Sequence, residues 1–426
     1  MNRKIELVAP AGSFEKMRYA FAYGADAVYA GIPRLSLRAR ENSFDKTAIK
    51  KAVSYVRQLG KKIYLTLNIF PHNRKLRSFR EALEWMRDLK PDGIILSDPG
   101  SIYLARQICP LIPIHLSTQA NTVNWASVKF WYDNGVSRII LSRELSMKEI
   151  RQIRRKVQHI ELESFVHGAI CIAYSGRCLL SNYFNHRDPN QGVCSNSCRW
   201  QYRIYKQDHT LPGSEDHFFI EETERPGSLM PISEDEYGTY IMNARDLCTI
   251  DLIDQLIDLG VDSFKIEGRT KSIYYLSVIT RAYRRAIDSI LAGNSVQPAI
   301  LKEVFAVANR GYTSGFLKND PGSSGHNYEN SRSENSTKLF CGAIKEVDNR
   351  EQKARISVRN RFEAGEELEI ISPVGDHTFK VEQIFSLDGE IRSAAHGGGQ
   401  DVWIKLPKPI NEFGLIRKAN NNDTQL

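Results

Sequence analysis

The chain has 426 residues, of which 42% are hydrophobic, 25% charged and 10% aromatic. That is the profile of a soluble globular protein long enough to bury a full core without cysteine staples. No run approaches the roughly 20 apolar residues of a membrane span. The formal net charge of +8 suits a polyanionic partner such as RNA, or a generically basic protein.

The opening residues, MNRKIELVAPAG, enter a strand-like run with no signal-peptide core, so a cytoplasmic chain is expected. Eight short runs then recur, each closed by a loop and followed by a helical stretch: 5–9, 26–30, 62–68, 93–97, 114–118, 138–142, 160–166 and 262–266. Most are apolar and bounded by Gly, Pro or polar residues, as parallel strands covered on both faces should be. Charged stretches with apolar residues at helical spacing occupy 73–89 and 146–157. Eight β/α repeats in about 270 residues match the count and length of a TIM-like (β/α)8 barrel of the α/β class. A doubly wound sheet is the alternative arrangement.

The seventh repeat breaks the rhythm. About 80 residues separate Val166 from the helix-like stretch 249–259. An insertion of that length at the C-terminal end of a barrel strand lies on the face where active sites form. Its span, 168–248, carries a cluster of four of the seven cysteines. After the eighth strand, 274–291 reads as a long amphipathic helix, followed by 306–317. The predicted divisions are a barrel over 1–318, a Gly/Ser/Asn-rich linker over 319–337, a small antiparallel β-barrel over 338–417 and a disordered tail over 418–426.

The cysteines are spaced C-x6-C-x15-C-x3-C at Cys171, Cys178, Cys194 and Cys198. Thiolates gathered in fours suit zinc or an iron–sulfur cluster, and a six-residue gap in the first pair favours the cluster. Cys248 could replace one of the four, whereas Cys109 and Cys341 read as buried small hydrophobes. Small and polar residues at other strand ends would face the same cavity: Pro10, Gly12, Asn68, Ser117, Gln119 and His167. The charged candidates are Arg143, Glu144, Lys265, Glu267 and Arg269. Arg143, Lys265 and Arg269 could clamp carboxylate or phosphate oxygens, while Glu144 and Glu267 could hold those cations or transfer protons; each could instead belong to a salt bridge on the barrel rim. Lys345, Arg355, Arg359 and Arg361 on the C-terminal strands could grip phosphates or form a solvated face.

The segments LVAPAGSFEKMRYAFAYGADAVYAG, SFVHGAICIAYSGRC, CSNSCRW and DSFKIEGRTKSIYYLSVITRAYRRAID resemble the collagenase-like peptidase family of unassigned catalytic type. The resemblance extends over nearly the whole chain, including the C-terminal β-domain. Proteolysis is not what the residues suggest, since no HExxH motif, G-x-S-x-G elbow or paired-aspartate signature is present. The resemblance implies oxygen-insertion chemistry on tRNA, ribosomal-RNA cytidine or a ubiquinone precursor, with a 4Fe–4S cluster on Cys171, Cys178, Cys194 and Cys198. Length and the C-terminal domain resemble the tRNA branch, which implies conversion of wobble uridine to 5-hydroxyuridine with the dicarboxylate prephenate as a required metabolite. A collagenase-like peptidase and a ribosomal-RNA hydroxylation protein are the alternatives; the expected partners are tRNA and prephenate, no membrane, and a possible protein partner.

Overall fold

The computed structural model describes residues 4–37, 44–170, 197, 200–206, 218–223, 226–227, 229–232, 234–235, 238–239, 245–318, 336–348, 350–398, 400–406 and 412–420. The chain divides into two compact units: Met1–Phe14, Ala27–Thr270 and Asn309–Ser333 form one, and Glu15–Asp26, Lys271–Ala308 and Glu334–Leu426 form the other. No described helix is long and apolar enough to cross a membrane.

The first unit is built on a closed parallel barrel. Its strands are β1 (Glu6–Pro10), β2 (Ala27–Gly31), β3 (Lys62–Thr66), β4 (Gly93–Leu96), β5 (Ile114–Leu116), β6 (Arg138–Ile140) and β7 (Glu161–Ala169). The eighth barrel strand, Ser263–Ile266, pairs in parallel with both β7 and β1 and so closes the ring. All eight expected strands are present, with no end shifted by more than three residues. The doubly wound alternative is thereby excluded, because such a sheet has two free edges.

Four of the helices between the barrel strands start where a side chain satisfies a first-turn backbone N–H group. With α1 assigned to Phe14–Ala22, the series continues with α2 (Lys46–Gln58), α3 (Asn73–Leu89), α4 (Pro99–Ile108), α5 (Trp125–Asp133) and α6 (Met147–Lys156). Asp45 caps α2 at Ala48 N (2.7 Å), Asp98 caps α4 at Ser101 N (2.7 Å), and Asn124 caps α5 at Ser127 N (2.9 Å). Helix α6 opens with a reciprocal capping box between Ser146 and Glu149. Helix α3 ends at Lys90, whose left-handed backbone (φ 53°) is followed by Pro91, which cannot continue a helix.

Strand β7 runs three residues past its expected end because a strand from the far side of the insertion pairs with it. The insertion contains β8 (Tyr202–Lys206), β9 (Phe218–Glu222), β10 (Leu229–Ile232), β11 (Glu234–Asp235), β12 (Gly238–Thr239) and β13 (Asp246–Cys248). Strands β8–β10 form a small antiparallel sheet. Strand β13 pairs antiparallel with β7, placing Cys248 opposite His167. Calling the eighth barrel strand β14, it follows helix α7 (Ile253–Asp258); the expected helix over 249–259 therefore begins as a 3-10 turn at Ile250–Leu252. Strand β15 (Tyr312–Thr313) pairs with β13.

The second unit joins α1, α8 (Ile273–Leu291) and α9 (Pro298–Val304) to the C-terminal strands. Those strands are β16 (Lys338–Asp348), β17 (Lys353–Val358), β18 (Phe362–Glu363), β19 (Glu367–Ile371), β20 (Asp376–Lys380), β21 (Ile384–Phe385), β22 (Ile391–Arg392), β23 (Ala394–Ala395), β24 (Asp401–Lys405) and β25 (Leu415–Ala419). Eight of them form a curled antiparallel sheet in the order β20-β19-β25-β16-β17-β24-β21-β22, where the sequence suggested a small barrel. Alternation fills one face: Ala354, Ile356 and Val358 of β17 pack with Leu368, Ile370, Phe379, Ile404 and Ile416. Helix α8 is buried at every position from Ile273 to Tyr283, so it is held on nearly its whole circumference. Its Arg281 pairs with Asp376 (2.5 Å) and Glu303, and Tyr274 stacks on Phe340 with centroids 4.9 Å apart. Strand β25 continues to Ala419, and Asn420 N donates to Thr337 O (3.2 Å), so the chain remains ordered two residues beyond the expected start of a tail.

Candidate active site at the carboxyl end of the barrel

Alternation along the strands sends every second residue into the barrel. Val8, Ala27, Tyr29, Tyr64, Ile95, Ile140 and Phe165 form one buried cluster there, joined by Leu247. Below it lies an ionic network that the sequence reading did not anticipate. Arg138 binds Glu6 (2.6 Å), Glu161 (2.7 Å) and Glu163 (2.8 Å); Lys265 binds Glu163 (2.7 Å); Tyr64 donates to Glu6 (2.7 Å). Glu163 is 0% exposed. Burial alone would push its carboxyl up, but Lys265 and Arg138 together outweigh that and hold it below the usual carboxylate range. Burial pulls the Lys265 ammonium below the usual lysine range, with Glu163 opposing. The period-2 pair Glu161 and Glu163 in ELESF was the available signal, since two acidic residues on one face of a barrel strand require cations.

This network gives Lys265 the salt-bridge place that the sequence also allowed: its ammonium is bound to a buried glutamate and lies 4.3 Å over the Tyr29 ring. Among the other charged candidates, Arg143, Glu267 and Arg269 lie at the C-terminal mouth. Arg143 lies over Phe165 (4.1 Å), donates through Nη1 to Ala169 O (3.0 Å), and has Nη2 3.8 Å from Glu267 Oε2. Tyr29 donates to Ile266 O (3.1 Å) and has its hydroxyl 3.4 Å from Glu267 Oε2. Arg269 is 6% exposed and donates through Nη2 to Leu37 O (2.6 Å). Glu144 is half-buried in the loop after β6.

A belt of polar side chains joins the loops after β2 through β6. Asn68 is its centre: it accepts from Leu37 N (3.1 Å), donates to Ser117 Oγ (3.2 Å), and its carbonyl accepts from Ser97 Oγ (3.1 Å). Ser117 also caps the turn at Gln119 N (3.3 Å), and Ser142 lies 3.4 Å from Asn121 Oδ1. Pro10 closes β1, and Gly12 follows it. Asn68 and Ser117, expected from their strand-end positions, are thus joined; Ser36, Thr66, Ser97 and Tyr29 were missed because hydroxyls within apolar runs carry no pattern of their own.

Strand β7 delivers Ile170, which packs on the interior cluster, to this same end of the barrel. Cys171, Cys178, Cys194 and Cys198 lie outside the described residues. Cys248 is half-buried on β13 opposite His167, and His167 packs against Tyr312 with centroids 5.3 Å apart. Cys109 and Cys341 are buried, as small hydrophobes should be, and burial pushes the Cys109 thiol up to about 11. In the second unit, Arg355 is engaged by Glu346 (3.1 Å) and Asp401 (2.7 Å), Arg361 by Glu363 (2.7 Å) and Lys345 by Glu15. Three of the four cations expected to meet phosphates are therefore already paired.

A model of Peptidase family U32 matches residues 12–327, and a model of the Peptidase family U32 C-terminal domain matches residues 336–417. The chain is 44% identical over 445 residues to tRNA hydroxylation protein P of Escherichia coli (strain K12), covering 99% of this chain and 98% of that one. It is 36% identical over 427 residues to tRNA hydroxylation protein P1 of Bacillus subtilis (strain 168), covering 98% and 96%. Similarity to a Collagenase of Porphyromonas gingivalis is 31% over 325 residues, covering 73% of each chain. With one family model spanning barrel and insertion and the other the C-terminal sheet, this chain belongs to peptidase family U32.

Proposed function

We propose that this chain is a tRNA hydroxylation enzyme that converts wobble uridine to 5-hydroxyuridine, with an iron–sulfur cluster and prephenate as the small molecules required. The observation that carries the reading is its 44% identity, over essentially the full length of both chains, to a tRNA hydroxylation protein. The donor chemistry fits the cluster: Cys171, Cys178, Cys194 and Cys198 are soft thiol donors, and a further cysteine, Cys248, stands beside the last residues of β7. Such a cluster supplies electron transfer when bound. The chain's own contribution is a buried, polar barrel mouth. Arg143 and Arg269 offer guanidinium donors there, Glu267 orients Arg143, and Glu144 and Glu267 are the carboxylates available for proton transfer.

The test is nucleoside analysis of tRNA from a strain lacking the chain and any second family member. Loss of 5-hydroxyuridine supports the reading; an unchanged level overturns it. The collagenase relative makes peptide hydrolysis the second reading, and it predicts gelatin cleavage by the purified protein that disappears with a cysteine substitution.

A further inference from the structure

At the end of β2, Gly31 lets two polar groups of the barrel mouth, Ser36 and Arg269, approach the strand, with Thr66 as its register neighbour on β3. A Cβ at Gly31 would lie 2.6 Å from Arg269 Nη1 and closer still to Ser36 Oγ. Glycine is thus what lets the guanidinium and the hydroxyl pack against the strand. Across the sheet, Gly31 is in register with Thr66 of β3, and Ile32 N donates to Thr66 O (3.1 Å). The turn that follows returns Ser36, whose N–H donates to Ile32 O (3.1 Å). Ser36 is 0% exposed and Thr66 3%, yet Ser36 Oγ and Thr66 Oγ1 have no hydrogen-bond partner among the described residues. A buried hydroxyl without a partner costs free energy, so Ser36 beside the buried guanidinium, with Thr66 in register on the next strand, marks a place built for another acceptor.

We propose that Ser36, Thr66 and Arg269 form a subsite for the carboxylate group of a small organic acid. The charge balance selects this class. One guanidinium and two neutral hydroxyls match a planar monoanionic carboxylate, which takes paired N–H donors from arginine. An RNA phosphodiester fits poorly, because it would bring a nucleoside on either side into a place where both hydroxyls are buried. A carboxylate at the end of a small molecule reaches it with one end only. The subsite replaces the clamp of Arg143, Lys265 and Arg269 suggested by the sequence, since Lys265 is neutralised by Glu163. It deepens the tRNA hydroxylation reading, on which it rests for the identity of the reaction, by naming where the acid co-substrate is held.

The experiment is titration calorimetry on the full-length protein purified without oxygen, using prephenate, succinate and inorganic phosphate as probes. Wild type is compared with Ser36→Ala and Thr66→Val, which remove one hydroxyl each with little change in shape. A hydrogen bond to a charged acceptor carries enough free energy that each variant should weaken carboxylate binding roughly tenfold or more. Affinity for tRNA should stay at the wild-type value, and the thermal midpoint without ligand should stay the same or rise, since each variant removes an unpartnered buried hydroxyl. Carboxylate affinity undiminished in both variants would overturn the subsite, as would failure of wild type to bind either carboxylate. So would preferential binding of phosphate, or variants that weaken tRNA binding instead. Binding is read without turnover, so failure of the subsite and failure of the tRNA reading, which nucleoside analysis detects, are distinguishable.

Discussion

Replacing Glu163 by Gln should destabilise the barrel in a way that eases as pH rises. The carboxylate is 0% exposed and accepts from Lys265 Nζ (2.7 Å), Arg138 Nη1 (2.8 Å) and Ser263 Oγ (3.1 Å). Glutamine keeps the shape but not the charge. Arg138 retains Glu6 and Glu161, whereas Lys265, only 3% exposed, loses its ion partner. Breaking a buried pair from one side costs about 3–5 kcal/mol. Lys265 sets a ceiling on that loss, because it can release its proton instead. From an unfolded value of about 10.4, this costs roughly 4–5 kcal/mol at pH 7 and about 1 kcal/mol at pH 9.5. The sign follows from linkage: a lysine with a depressed folded-state pKa binds more protons when unfolded, so the variant's stability rises with pH up to the unfolded value. Urea denaturation followed by circular dichroism at pH 7 and 9.5 measures both quantities. Adding Lys265→Met should recover most of the loss, since an apolar replacement of both partners is often neutral. A variant within 1 kcal/mol of wild type at pH 7, or a deficit unaffected by pH, would refute the reasoning.

Gly31→Ala should displace Arg269 and Ser36 while leaving the barrel folded, at a cost of about 1–3 kcal/mol, typical of overpacking; 5-hydroxyuridine formation should fall more than the thermal midpoint does. In the C-terminal sheet, Arg417 grips Glu369 with two hydrogen bonds (2.9 and 3.0 Å). Although burial favours the neutral acid, the Arg417 and Lys338 hydrogen bonds prevail and lower Glu369 to about 2. A depressed carboxylate contributes stability above its unfolded value and loses it as pH falls through the folded one, so Glu369→Gln should narrow the gap to wild type between pH 4.5 and 2 in acid titrations followed by fluorescence. Anaerobic purification should yield about four irons with matching sulfide, fewer in Cys171→Ala; zinc in their place would remove the redox chemistry.

The barrel was legible because most of its strands are apolar runs cut off by turn residues, and eight such repeats match a closed barrel. Strand β7 was not legible beyond Val166, since its extension depends on pairing with β13, some 80 residues later. Arg143, Glu267 and Arg269 are readable as strand-end charges, and Arg143 and Glu267 lie 3.8 Å apart. Lys265 stands on the same KIEGR run, but its register turns it toward Glu163 inside the barrel, a distinction only three-dimensional pairing reveals. The assignment of α1 and α8 to the C-terminal unit was hidden for a related reason: contacts such as Tyr23 OH to Phe413 O (2.8 Å) join residues 390 positions apart.

The most direct test of the account is mass spectrometry of tRNA nucleosides from a strain lacking this chain and any second family member, complemented with wild type or with Cys171→Ala. The account predicts that 5-hydroxyuridine returns with wild type and stays absent with the variant at equal protein level. Full restoration by Cys171→Ala, or a nucleoside level that never depended on the chain, would contradict it.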